Sequence, residues 1–174
     1  MNIVFIELDR CIACRSCEHI CRLHQSALRN GDEPNIFVHV DMDQRQIFAG
    51  TCLQCETALC MQVCPVGALA RDSKTGAVDI DKRICIGCGM CVVACPYGYM
   101  HLDSAIHRAS KCNLCAGDPK CVQVCMAKAL HFGTIDELVA RKCRQHDLLL
   151  GVRALPDMTN AKEESDTGNG QNPD

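Results

Sequence analysis

Cys85-Ile-Gly-Cys88-Gly-Met-Cys91-Val-Val-Ala-Cys95-Pro96 sets three thiols at two-residue intervals and a fourth three residues further on. Three cysteines so spaced sit on one tight loop, where their thiolates can converge on a single iron–sulfur cube. Gly87 and Gly89 let the backbone curl closely around it. Cys95 lies one helical turn beyond Cys91, so its sulfur turns away from the loop and reaches the other cluster of a pair. The pattern occurs four times. Cys11, Cys14, Cys17 and Cys21 repeat it unchanged; Cys52, Cys55, Cys60 and Cys64 insert two residues before the third cysteine; Cys112, Cys115, Cys121 and Cys125 insert three. Of the 17 cysteines only Cys143 is left over, so four [4Fe–4S] clusters are expected.

Two other uses of cysteine fit less well. A disulfide framework suits an exported protein, but Met1-Asn2-Ile3-Val4-Phe5-Ile6-Glu7 has neither a basic segment nor a long apolar one, and the cysteine count is odd. Structural zinc pairs two C-x2-C knuckles, whereas these runs carry three cysteines and then C-x3-C. The chain has 174 residues, no Trp, four Phe and two Tyr. With so few aromatic anchors, inorganic clusters are expected to replace much of the apolar core, and folding to depend on their insertion. A reducing, cytoplasmic setting follows. No stretch approaches the roughly 20 apolar residues of a membrane helix. A net charge of −3 gives no reason to expect nucleic acid as a partner. Residues 157–174 alone carry −4, which leaves the rest near neutral at +1.

The elements that must position the quartets are short. Residues 2–8 and 36–40 read as strands, 45–48 as a weaker one, with a turn over 41–44. Residues 22–35 are polar, and Asn30-Gly31 and Asp32-Glu33-Pro34 mark turns. Residues 77–80 form a strand after the Lys74-Thr75-Gly76 turn. A hairpin joins 99–102 to 105–108 about Asp103-Ser104. Thr134 and Glu137 form a capping box that opens a helix over 135–150, with Ile135, Leu138, Val139, Cys143 and Leu150 on one face and Gly151 at its end. On that reading Cys143 is a small buried apolar residue rather than a redox thiol. From Pro156 the composition turns to that of a disordered tail. His19, His24, Arg15, Arg22, Lys82, Arg83 and Lys111 lie near ligands and could tune a cluster, but each alone reads as a surface group.

The order of the motifs resembles the iron–sulfur electron-transfer subunits of molybdenum and tungsten oxidoreductases, over residues 3–132. The markers are Cys11-Ile-Ala-Cys14-Arg-Ser-Cys17-Glu18, Cys64-Pro65-Val66-Gly67-Ala68, Cys95-Pro96-Tyr97-Gly98 and Lys111-Cys112-Asn113-Leu114-Cys115. Relatives of this kind serve formate dehydrogenases, dimethyl-sulfoxide-type reductases, aldehyde oxidoreductases and carbon monoxide dehydrogenase. The resemblance implies an α+β, ferredoxin-like fold of two two-cluster modules, one inserted in the other. It pairs the first quartet with the fourth and the second with the third. One cluster then takes Cys52, Cys55, Cys60 and Cys95, and its neighbour takes Cys85, Cys88, Cys91 and Cys64. A third takes Cys11, Cys14, Cys17 and Cys125, and a fourth takes Cys112, Cys115, Cys121 and Cys21. The four-cluster domain would span 1–133, with the inner module at about 50–103 between outer quartets 11–21 and 112–125. A helix at 134–151 and an acidic tail at 156–174 would follow. Met126 stands where the family has Pro, and no Pro follows Cys21.

No phosphate loop, dinucleotide fingerprint or nucleophile–base pair is visible, so the chain is expected to move electrons and leave catalysis to a partner. The resemblance implies a large catalytic subunit holding molybdenum or tungsten, and a flavin or other redox subunit as the second contact. A carrier for carbon monoxide dehydrogenase or hydrogenase, or a free polyferredoxin, is the nearest alternative; a redox sensor or a structural zinc protein is more remote. The five residues between Cys115 and Cys121, and the lack of an export signal or terminal membrane helix, point to the compact cytoplasmic members. Two exposed ends would also allow copies to associate head to tail into a filament.

Overall fold

The computed structural model describes residues 2–28 and 30–149. The chain divides into a unit through Val139 and a second unit from Ala140, of which only residues 140–149 are described. Eight short strands form four separate two-stranded antiparallel sheets. β1 (Asn2–Ile6) pairs with β8 (Leu130–Thr134), the last strand among the described residues. β2 (Ile36–Asp41) pairs with β3 (Gln46–Thr51), β4 (Leu69–Arg71) with β5 (Val78–Ile80), and β6 (His101–Asp103) with β7 (Arg108–Ser110). Four helices carry or follow the cysteine quartets: α1 (Ser16–Ala27), α2 (Leu59–Gln62), α3 (Met90–Val93) and α4 (Lys120–Gln123). α5 (Ile135–Leu149) closes the described part.

The mix of small helices and strands agrees with the α+β expectation, with local differences. α1 runs through Ala27, over residues read as a polar loop. The other quartets stop their helices within a turn: Pro65 and Pro96 follow Cys64 and Cys95, and Gly67 and Gly98 take positive φ. Cys21 is followed by Arg22, a good helix former, so nothing stops α1. Met126 does not abolish the turn after the fourth quartet. Lys128, at the position of those glycines, adopts φ 50° and donates its N–H to the Cys125 carbonyl at 3.0 Å. The strand at 2–8 ends at Ile6, and Leu8–Arg10 makes a 3-10 turn. β3 extends further than 45–48 because its partner β2 continues opposite it. The hairpin expected at 99–108 sits later, with its turn at 104–107, because the Asp103 side chain caps the turn.

Two small apolar cores hold these pieces. One joins Leu69, Val78, Ile80, Cys85, Met100 and Ala109; the other joins Val4, Ile36, Ala77, Leu114, Cys121 and Leu130. Cysteines belong to both, in keeping with a core partly given over to sulfur. The capping box at the start of α5 is formed: the Glu137 N–H donates to Thr134 Oγ1 at 3.2 Å, and the Thr134 N–H donates to Glu137 Oε2 at 2.7 Å. Cys143 is exposed, as are Ile135 and Val139, so the buried apolar stripe assigned to this helix is not observed there. Leu150, Gly151 and the tail from 156 lie outside the described residues.

Asp103 fastens the loop before β2 to the β6–β7 turn. It is fully buried, and its carboxylate accepts from the N–H groups of Asp32 at 2.8 Å, Glu33 at 2.9 Å, Ala105 at 3.0 Å and Ile106 at 3.2 Å. Burial alone would raise its pKa, but these four donors outweigh it and hold the carboxyl below its ordinary value. The stabilisation is therefore present above the ordinary carboxylate range and is lost as pH falls through the lowered value. Asp103→Ala should destabilise the cluster-loaded chain at neutral pH by about 2–4 kcal/mol, because the buried amides lose a charged acceptor. Hydrogen exchange at the Asp32 and Glu33 amides checks this: it should accelerate, and unchanged protection there would contradict the assigned role.

Candidate metal centres

Each quartet loop repeats an uncommon backbone. The residue before the second cysteine is left-handed in all four: Ala13 at φ 53°, Gln54 at 52°, Gly87 at 69° and Leu114 at 60°. Only the third is the glycine that such a turn favours; a residue with a Cβ is strained there by about 1–2 kcal/mol. Such strain clusters at functional sites. Beyond the loops, Cys17 and Cys21 lie on α1, Cys60 on α2, Cys91 on α3 and Cys121 on α4. The short helices end just before Cys64, Cys95 and Cys125.

Cysteines from different quartets face the same spaces. Cys52, Cys55, Cys60 and Cys95 line a cavity of about 290 Å³, together with Tyr97, Tyr99 and Lys111. Cys11, Cys14 and Cys17 line a narrower one with Cys125. Cys85, Cys88 and Cys91 line another with Cys64. Cys21 lies close enough to Cys112 and Cys115 for their charges to act on it, and Cys121 feels Cys112, Cys21 and Cys115. Three quartet loops thus each share a cavity with a cysteine of another quartet, and Cys21 lies near Cys112, Cys115 and Cys121.

Burial pushes the Cys17, Cys21 and Cys91 thiols up to about 11, and neighbouring thiols add to this. Cys121 is raised by the same causes. Such thiols stay protonated when empty, so iron must displace their protons to bind. Cys14 is exposed and is held below its ordinary value, chiefly by the Ser16 hydroxyl. Backbone N–H groups already aim at sulfur: Asn35 to Cys21 at 3.2 Å, Ala68 to Cys64 at 3.2 Å, Ala129 to Cys125 at 3.3 Å and Leu114 to Cys112 at 3.4 Å. Donors of this kind favour the anionic thiolate and raise a cluster's potential. Among the described residues no three His, Cys, Asp or Glu side chains converge to hold a lone metal ion. An all-thiolate set lining a cavity fits a cube that brings its own sulfide.

The expectation for the neighbouring cations needs correction. Arg22 and His19 are exposed, Arg83 pairs with Asp81 at 2.7 Å in the open, and Arg15 lies 3.7 Å from Glu18. Lys111, however, is buried, and Lys82 is half-buried with its ammonium on the Ala109 carbonyl. Both ammonium groups donate to backbone carbonyls, Lys82 to that of Ala109 and Lys111 to those of Val78 and Cys112, which no sequence pattern reports. Gln54 was missed altogether. It is fully buried, donates to the Cys112 carbonyl at 2.8 Å and accepts from the Val78 N–H at 2.9 Å. Its placement between two cysteines was the only available hint. Three of the six Phe and Tyr residues gather by the cavity of Cys52 and Cys95: Phe37 and Tyr99 have ring centroids 5.6 Å apart, Tyr97 and Tyr99 6.0 Å.

Comparison with known proteins agrees with the cysteine pattern. Residues 43–135 match the 4Fe-4S dicluster domain family. The protein is 37% identical to the thiosulfate reductase electron transfer subunit of Salmonella typhi, over 74% of its own length and 73% of the relative's. It is 36% identical to the polyferredoxin-like subunit of the aliphatic sulfonate oxidoreductase of Pyrococcus furiosus, over 70% of each. It is 33% identical to a subunit of the anaerobic dimethyl sulfoxide reductase of Escherichia coli, over 87% of its own length and 80% of the relative's. The motif order, the cavities lined by thiols and these relatives converge: the protein belongs to the iron–sulfur electron-transfer subunits of molybdenum oxidoreductases, and its part is electron relay rather than catalysis.

Proposed function

We propose that the chain holds four [4Fe–4S] clusters in a row and passes single electrons between a catalytic subunit containing molybdenum or tungsten and a second redox subunit, such as a flavoprotein. The ligand sets are those already grouped: Cys11, Cys14, Cys17 and Cys125; Cys112, Cys115, Cys121 and Cys21; Cys52, Cys55, Cys60 and Cys95; Cys85, Cys88, Cys91 and Cys64. A cube bound in each set would supply one-electron oxidation and reduction. The observation that carries the reading is the set of neighbour relations between sets. Cys121 feels the charge of Cys17, Cys112 that of Cys52, and Cys91 that of Cys60. These three proximities, with the Gln54 side chain beside Cys55 donating to the Cys112 carbonyl at 2.8 Å, support one linear order: the Cys11 set, the Cys112 set, the Cys52 set, the Cys85 set.

Exposure supports the same order. Among the quartet cysteines only Cys14 and Cys88 are exposed, and they belong to the two terminal sets. Apolar side chains stand out beside both: Ile12 and Met126 near the first, Ile86 and Met90 near the second. The pairing of the outer quartets, closed by β1 and β8, around the inner ones supports two modules, an inner one near 50–103 within a domain of 1–133. No helix among the described residues is long and apolar enough to cross a membrane. We assign the chain to the cytoplasm on its cysteine chemistry, which needs a reducing setting.

Iron and sulfide analysis after anaerobic purification tests the count. About sixteen of each per chain is expected; stoichiometric zinc, or half that iron, would overturn the reading. Cys95→Ala tests the pairing. It should remove the cluster that shares Cys52, Cys55 and Cys60, about four iron, and leave the one on Cys85, Cys88 and Cys91, as read by iron content and EPR. Loss of the signal belonging to its own loop would refute it. Two open ends should also make the purified chain self-associate, toward a filament, when no catalytic subunit covers it. Light scattering distinguishes this from a monodisperse, cluster-loaded monomer, which would count against it.

A further inference from the structure

Lys111 sits where the second and third sites of the proposed row meet. It lines the cavity of Cys52, Cys55, Cys60 and Cys95, and it directly precedes Cys112 of the neighbouring set. The residue is 5% exposed. The Nζ atom donates to three acceptors: the Cys112 carbonyl at 2.7 Å, Gln54 Oε1 at 3.2 Å and the Val78 carbonyl. An ammonium has three N–H donors, and each acceptor takes one. All three donors of the ammonium are thus taken up by buried acceptors. The positive charge is thus fixed in place, shielded from water, and shared between two thiolate sets. Burial raises the Cys60 and Cys112 thiols, and the Lys111 charge acts against that burial on both sides.

We infer that the buried Lys111 ammonium is a positioning charge that raises the reduction potentials of the two middle sites together, at the junction between the inner and outer quartets. Adding an electron adds negative charge, and a cation held nearby in low dielectric stabilises the reduced form. Neither terminal set shares its cavity with Lys111. Arg10 and Arg15 adjoin Cys11 and Cys14, each about half open to water and beside Glu7 and Glu18. Lys82, half-buried with its ammonium on the Ala109 carbonyl, is a separate cation that acts on Cys85 and Cys91. Gln54 keeps Lys111 in position, accepting from it while donating to the same Cys112 carbonyl. The consequence is that the two middle sites hold electrons better than they would without this charge, at the junction electrons must cross.

This inference rests on the four-site reading, and one experiment separates the two. Full-length chain is loaded with iron and sulfide, and its midpoints are measured by EPR-monitored redox titration for the wild type, Lys111→Met and Lys111→Arg. In Lys111→Met two of four midpoints should fall, the reduction constant dropping about tenfold, or about 59 mV for a one-electron couple. The other two should stay, and Lys111→Arg should restore the wild-type values. Unmoved midpoints, four midpoints moving together, or equal shifts in Met and Arg variants would overturn the role. Should Lys111→Met fail to load, Gln54→Glu places a carboxylate beside the ammonium and should lower the same two midpoints; no fall there is equally fatal. Iron content of the wild type reports on the underlying reading. Fewer than four clusters overturns that reading and this one, whereas four clusters with unmoved midpoints overturns only Lys111.

Discussion

A cysteine placed one helical turn after its neighbour cannot face the loop from which the helix starts. That offset, fixed by 3.6 residues per turn, governs the architecture. Each loop gathers three sulfurs, and the fourth wall of its cavity comes from another quartet: Cys95 beside Cys52, Cys64 beside Cys85, Cys125 beside Cys11. The chain must therefore return on itself at each site. The strand pairing serves that return. β1 finds its partner in β8, at the far end of the domain, and α1 packs against α4. Apolar burial could not do this alone, since the two cores are small and both include cysteines. The metal-binding free energy that the sites would supply is also folding free energy.

The same constraint explains which parts were legible in the sequence. The cysteines that share cavities were, because thiols at these spacings gather on one loop. The capping box of Thr134 and Glu137 was, because it is local and its donors lie three residues apart. What failed depended on distant partners. The β6–β7 hairpin lies later than its β-forming residues suggest, since Asp103 caps the turn while also serving Asp32 and Glu33, some seventy residues away. α1 outran its expected end because the usual stop signal after the last cysteine is missing, and absence of a signal is easily read as a loop. Cys143 fitted a helical stripe on paper, yet it is exposed.

Glycine patterns misled in a more instructive way. Left-handed backbone is demanded before the second cysteine in every quartet, but only one quartet answers with glycine. Ala13, Gln54 and Leu114 accept the strain instead. Lys128 likewise takes the turn that Gly67 and Gly98 make elsewhere. The requirement is imposed by what the loop must surround, so side chains of several kinds tolerate it. A reading that looks for glycine finds one loop in four, while a reading that looks for thiol spacing finds all of them.

Gln54 shows what such a tolerated residue can be used for. A glycine at that position would form the turn with less strain, but it would remove a partner from the Cys112 carbonyl, the Val78 N–H and the Lys111 ammonium at once. The strained side chain ties a loop of the second quartet to β5 and to the start of the fourth quartet. It thereby joins, in one buried polar network, the segment between the two apolar cores and the boundary between two cysteine sets. Polar groups buried so deeply are costly unless fully bonded, and a fully bonded network is rigid. Rigidity at this junction holds the loop of Cys52 and Cys55 at a fixed distance from the start of the fourth quartet, two parts that the chain itself connects only through a long excursion.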